Sequence, residues 1–449
     1  MRPDARGTAR VPARASARSE ALATDPIGRL LWWSCSQTTV SVGVFGIYAL
    51  TNAWFVARGV GETALAAVNV VAPLLLLLGA VSTTVGVGGA SLVSRRLGAG
   101  RPDAAARAAG TSFTIFWGAA LATSVIGLAA LDPLLRLVGA TAEMLPYARP
   151  YAQVLIAGAV LSTGFSSIVR AEGRLLFSTM LWIIPVVVQI VLDPLLILGA
   201  GMGVTGAALG TLGGQAVSAS MALWFFFVQR DRPYRIRPAH LVPDPADARE
   251  IVAIGAPSFL AGIGTTLLAI LVNAALAAAG AAFLAAYAVC ARVQTFIAMP
   301  QTGIAQGMQP IVGFNAGRGL AARVARARTL SLRASVVYGG ASALLIALAA
   351  PMLVGLFVTD PAVVGTAVHA LRILAIGMAV AGIAPVAAAY CQAFGRPRAA
   401  YAISLGTLVL IRVPLVLLGG AAGPLGVWVA LAAGEVVSAA VALVILRRV

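Results

Sequence analysis

Apolar stretches of about twenty residues, separated by short polar or arginine-bearing segments, recur along the whole chain of 449 residues. Crossing roughly 30 Å of hydrocarbon at about 1.5 Å per residue takes roughly 20 residues, so each stretch is long enough to span a bilayer. The pattern predicts twelve such spans, centred near residues 43, 77, 117, 157, 187, 217, 265, 297, 337, 377, 409 and 435. The windows are too long and too uniformly apolar for alternating barrel strands, whereas a helix satisfies its own backbone hydrogen bonds in lipid. The expected fold is therefore all-α, a polytopic membrane protein.

The spans repeat. GETALAAVNVVAPLL from Gly61 returns as GAAFLAAYAVCARVQ from Gly280, and at that constant offset Gly88, Gly98, Gly100 and Arg107 fall on Gly307, Gly317, Gly319 and Arg326. Later, GRLLF from Gly173 answers GRPRA from Gly395, and GGQAVSA from Gly213 answers AGEVVSA from Ala433. A repeat of this length is far beyond any solenoid unit and matches the way secondary transporters are built. The expected organisation is a disordered cytoplasmic tail over residues 1–26, six helices over 27–228, a polar linker over 229–250, and six helices over 251–449. With six spans in each half, both halves enter the membrane from the same side.

Charge fixes the side. All 32 basic residues are arginine, and 26 of them fall in the tail, the linker and the loops that would share one face. The other face has Arg58, Arg136, Arg149 and Arg372, which leaves Arg292 and Arg412 inside the spans. By the positive-inside rule both termini are cytoplasmic; the expected location is the plasma membrane. The formal charge of +17 sits in short loops beside apolar spans, so it orients the chain and meets anionic lipid rather than nucleic acid. With 60% hydrophobic and 10% charged residues, a soluble fold is excluded.

Chemistry-bearing residues are few. Cys35, Cys290 and Cys391 are odd in number and far apart, which predicts packing rather than a disulfide or metal framework. His240 and His369 have no companion at ligand spacing, and no phosphate-cradling loop, HExxH pattern or carboxylate pair is present. The expectation is a non-enzyme without cofactor or metal, working as a monomer and drawing on an ion gradient. Gly206, Gly210 and Gly214, four apart, predict close helix contact. Pro73, Pro185, Pro300, Pro310 and Pro385 within or near the spans are expected to bend them.

Acids within the spans carry the most information, because a charged, unpaired carboxylate in hydrocarbon costs several kcal/mol. Asp193 follows MLWIIPVVVQIVL, and Gln189 lies one turn earlier on the same face, able to donate or accept as the acid changes protonation. Glu435 is the second, although its counterpart in the first half is the neutral Gln215. Asn273, Arg292 and Gln306 complete the weaker candidates.

The chain resembles the multidrug and toxic compound extrusion (MATE) exporters from about residue 30 to its C-terminus. The resemblance rests on VGETALAAV and SRRLGAG, RAEG at Arg170, VLDPLLI at Val191, LAAYAVCARVQTF, and GIAQGMQPIVGFNAG. It implies two six-helix lobes around a V-shaped cavity, exporting bulky, often cationic small molecules in exchange for protons or sodium ions. VLDPLLI is most similar to the DNA-damage-inducible branch, whose acid at the position of Asp193 takes part in coupling. The family's Tyr-x-x-x-Asp pattern appears here as Tyr48 to Asn52, with an amide in place of the acid. No Asp or Glu lies between Ile251 and Thr359, which disfavours a sodium site in those helices. Tyr48, Trp54, Phe165, Phe283 and Phe296 are candidates to line the cavity. The competing readings are a lipid-linked oligosaccharide flippase using Arg292 and Arg412, and a membrane sensor or scaffold without transport.

Overall fold

Long helices form where the apolar runs are unbroken, and they stop at glycine, proline and capping residues. The computed structural model describes residues 13–161 and 165–449, and at residues 13–18, 45, 76–78 and 80 the backbone alone. The first half contains α1 (Ala13–Thr24), α2 (Ile27–Gly59), α3 (Glu62–Gly98), α4 (Pro102–Ala129), the short α5 (Leu131–Leu137), α6 (Leu145–Ala157), α7 (Ser166–Ala171), α8 (Leu175–Pro194) and α9 (Gly203–Leu223). The second contains α10 (Pro245–Ala279), α11 (Ala281–Gly317), α12 (Ala321–Gly355), α13 (Pro361–Met378), α14 (Ile383–Ala393), the short α15 (Pro397–Tyr401), α16 (Val413–Ala421) and α17 (Pro424–Arg447).

Among the described residues, ten helical stretches are long and apolar enough to cross a membrane, and α6 with the segment that starts at Ala159, bent by 51°, makes an eleventh. The remaining expected span is α3, a continuous helix of 37 residues whose most apolar part is Glu62–Leu75. The architecture is all-helical and polytopic, as the hydropathy pattern predicts.

The duplication is visible in the turns. Gly61 at φ 121° and Gly280 at φ 135° open α3 and α11 at equivalent positions, in a backbone conformation that side chains disfavour. It is visible again where the halves meet. A Cβ on Gly98 would run into the Phe314 carbonyl, and one on Gly317 into the Arg95 carbonyl, so a single contact is made twice across a pseudo-twofold axis. The crossing of α3 with α10, through Gly88 against Ile251 and Gly255 against Thr84, is likewise matched by α11 with α2, through Gly307 against Cys35 and Gly303 against Thr39. These backbone approaches lie toward the membrane face that carries the chain's C-terminus, hereafter the terminal face. Ser94 Oγ donates to the Pro310 carbonyl at 3.0 Å and Ser34 Oγ to the Gly307 carbonyl at 2.7 Å. Arg95 pairs with Glu250 at 2.7 Å, and Arg96 pairs with Asp247.

Two expected boundaries shift. Residues 13–24 are helix α1 rather than disordered tail, because the helix finds partners in both halves; residues 1–12 lie outside the described residues. Ser19 Oγ donates to the Glu172 carbonyl at 3.2 Å, while Asn315 Nδ2 and Arg323 Nη2 donate to the Leu22 carbonyl at 2.9 and 3.1 Å. Leu22 is buried in an apolar cluster with Ile304, Met308 and Phe314 of the second half. The linker ends at Asp244, not residue 250. Its carboxylate caps α10 by accepting from Ala246 N at 2.8 Å and Asp247 N at 3.3 Å, and Pro245 takes the first helical position, where its missing N–H costs nothing.

Candidate functional site

Asp193 sits at the end of α8, completely buried. The helix is irregular around it. Pro185 leaves the Leu181 carbonyl without its intrahelical donor, and Ser218 Oγ of α9 supplies one at 3.0 Å. Pro194 follows Asp193 directly, and the chain then widens into a π-turn over Leu195–Gly199. The glycine stripe of α9 makes the close approach expected of it. Gly206 lies against the Leu196 carbonyl, Gly214 lies 2.6 Å from the Pro185 carbonyl as measured from an added Cβ, and Gly210 faces Asp193 Oδ1 with no room for a methyl group. That spacing in α9 therefore positions the acid of α8.

Gln189 Nε2 donates to Asp193 Oδ2 at 3.0 Å, and both side chains are buried. Asn52, buried on α2, approaches the same carboxylate. One turn before it, the Tyr48 hydroxyl is 3.4 Å from Thr211 Oγ1 of α9. Tyr151 of α6, also buried, lies within electrostatic reach of Tyr48 and Asp193. Asp193 Oδ1, Gln189 Oε1 and Asn52 Nδ2 make no hydrogen bond. Asn52 lies close enough to Asp193 to act on its carboxylate, and unpaired buried polar atoms are rare and costly, which makes this cluster the candidate site. Chemically the cluster offers one carboxylate, two amides, a phenol and a hydroxyl. That set can hold a proton on the acid or place oxygens around a cation.

Asp193, Gln189, Asn52 and Tyr48 are thus brought together from two helices, and the weaker candidates are elsewhere. Glu435 of α17 is paired with Arg412, Nη2 to Oε2 at 2.5 Å, and Arg412 Nε also reaches Ser438 Oγ at 3.3 Å. Arg292 is not interior: it is exposed, with its guanidinium 5.8 Å from the centre of the Phe357 ring. Asn273 is exposed on α10. Gln306 lines a small cavity between the halves with Ser91, Arg170 and Gln309. Phe165 does not line an open cavity, being buried among Phe113, Phe116 and Phe226. Thr211 and Tyr151 are not singled out by the sequence. The glycine spacing in α9 pointed at the right helix face, but not at what the face would touch.

The sequence profile of the MatE family matches residues 39–195 and 257–418. The multidrug export protein MepA of Staphylococcus saprophyticus is 26% identical over 404 residues, covering 89% of each chain. The FAD transporter of Shewanella oneidensis is 25% identical over 406 residues, again covering 89% of each. Among solved structures, the outward-facing conformation of a multidrug resistance MATE transporter of the MOP superfamily superposes with a TM-score of 0.89 at 24% identity, covering 96% of this chain and 97% of that one. A MATE protein in a bent conformation gives 0.90 at 25% identity with the same coverage.

Proposed function

The chain belongs to the MatE family, matched in both halves, and from that premise we propose that it exports organic cations in exchange for protons by alternating access. The observation that carries this reading is Asp193: a wholly buried carboxylate on an irregular helix, beside two amides, with one oxygen unpaired and no arginine among the described residues paired with it. The branch resemblance of VLDPLLI supports the same residue. With the arginine-rich face in the cytoplasm, the tight packing of the halves closes the inner side of the membrane. In that state a proton from outside neutralises Asp193, so the electrostatic attraction that held a cation is lost and cargo leaves. After reversal, the proton departs into the cytoplasm and the bare carboxylate attracts the next cation. The differential affinity for cargo in the two protonation states supplies the coupling. Multidrug export by MepA supports the substrate class.

One observation favours sodium as a second reading. The unpaired Oδ1 of Asp193 and Oε1 of Gln189, with Thr211 Oγ1 nearby, are oxygen ligands of the kind a hard cation takes. The flippase reading is weakened, since Arg412 is occupied by Glu435.

The purified chain in proteoliposomes, with ethidium outside, separates these readings. An acid lumen should drive ethidium inward against its gradient, and a sodium-loaded lumen at equal pH should not. Sodium-driven uptake would transfer the account to the second reading. Uptake under neither gradient would leave the chain as a sensor or scaffold.

A further inference from the structure

The number of protons moved per cycle is set by the number of acids free to titrate within the membrane. Among the described acidic residues of the membrane-crossing stretches, Asp247 and Glu250 near the start of α10 pair with Arg96 and Arg95, which leaves Asp193, within the stretch Leu175–Gly199, and Glu435 of α17 as the acids flanked on both sides by apolar sequence; Asp4 is in the N-terminal stretch outside the described residues. Glu435 is held by Arg412 at 2.5 Å, with Ser438 as a further partner of the arginine. Protonating it would strand a guanidinium inside the second half, so the pair stays intact and contributes no net charge. Glu172, buried at the end of α7, is likewise paired with Arg232. Asp193 is the one intramembrane acid among the described residues with no cationic partner.

Among the described residues, its surroundings supply no second charge. From α2 it is faced by Tyr48 and Asn52, from α6 by Tyr151, and from α9 by Gly210 and Thr211. The arginine of neighbouring α7, Arg170, turns instead to Thr38 Oγ1 at 2.8 Å. Where the family pattern has a second carboxylate, Asn52 has an amide that cannot take up a proton. The exchange site therefore has a charge of minus one when empty.

We propose that this chain exchanges a single proton for each cargo molecule, so that export of a monovalent cation is electrically silent. The proposal rests on the proton-exchange reading of Asp193 and goes beyond it by fixing the charge moved. When Asp193 carries a monovalent cation outward the site is neutral, and when it carries a proton inward the site is neutral again. Fixed charges such as Arg170 return to their starting positions over a full cycle and move nothing. Membrane voltage then does no work on either half of the cycle, and the pH gradient alone drives export. A divalent cation leaves one positive charge uncompensated in the loaded half-cycle, so its export is opposed by a negative interior.

The test uses proteoliposomes of the full chain with an acid lumen, the voltage clamped by potassium and valinomycin, and Asp193→Asn vesicles subtracted as the leak. Ethidium, a monovalent cation, should reach the same accumulation at zero voltage and at an inside-negative clamp of about 60 mV. Methyl viologen, a divalent cation, should gain about tenfold in accumulation under that clamp, since one charge crossing 60 mV is worth a factor of about ten. The Asn52→Asp variant restores a second acid and should make ethidium accumulation voltage-sensitive, reduced about tenfold by an inside-negative clamp because two protons then leave for each ethidium that enters. Wild-type ethidium accumulation that shifts about tenfold with voltage overturns the single-proton proposal while leaving proton exchange standing. Absence of any Asp193-dependent flux overturns both.

Discussion

At the scale of single residues, the site depends on what is small as much as on what is charged. Gly210 gives Asp193 its place, and a methyl group there meets the carboxylate oxygen. Gly210→Ala is expected to cost about 1–3 kcal/mol through overpacking and to lower export several-fold. The melting temperature of the purified protein and ethidium efflux from cells check the two effects separately. Asp193→Asn keeps the volume and removes the titratable group, so export driven by a pH gradient should fall to background while the protein still folds. Asp193 and Gln189 were legible in the sequence because an acid inside an apolar run is conspicuous and its helical neighbour follows from periodicity. Thr211 and Tyr151 were not, because they come from other helices and look like ordinary polar residues of a span. Glu435 and Arg412 each looked like an isolated intramembrane charge. Only the packing of α16 and its preceding turn on α17 shows that they cancel each other.

At the scale of elements, the hydropathy pattern gave the helices and their order, and the constant offset between the copies gave their pairing. It could not give the π-turn after Pro194 or the inclusion of residues 245–250 in α10, which depend on local hydrogen bonding. The linker shows the same limit. Polar in sequence, it inserts Arg232 into the first half, with ring centres of Phe225, Phe226 and Tyr234 at 4.8, 4.5 and 4.5 Å and Glu172 as ion partner. Burial, and after it the Glu172 carboxylate, pushes the Tyr234 phenol well above its ordinary range, so this anchor keeps a neutral phenol at any physiological pH. Arg232→Met leaves Glu172 buried without a partner and is expected to cost about 3–5 kcal/mol. The double variant with Glu172→Gln should recover most of that loss. Chemical denaturation in detergent of the two single variants and the double variant measures the coupling.

At the scale of the whole molecule, closure of the terminal face rests on glycine contacts made twice and on α1, which touches both halves. The pattern of hydrophobicity along the chain gives no sign of that bridge, since residues 13–24 are mostly small or polar. Deleting residues 1–25 should weaken the closure and speed the reaction of Cys35, half-buried where α2 crosses α11, with a thiol reagent added to the terminal face. An increase of about tenfold corresponds to roughly 1.4 kcal/mol of lost closure; Cys290 and Cys391, both buried, serve as internal controls in the same mass spectrum. The central claim is that one carboxylate alternates between proton and cargo. Proton release on adding ethidium to the purified protein in weakly buffered detergent tests it most directly. The account predicts release approaching half a proton per bound ethidium at the midpoint of Asp193 titration in the free protein, rising toward one as the pH falls below it, and none from Asp193→Asn. Equal release from both proteins, or ethidium binding to the wild type with no release at any pH, would contradict it.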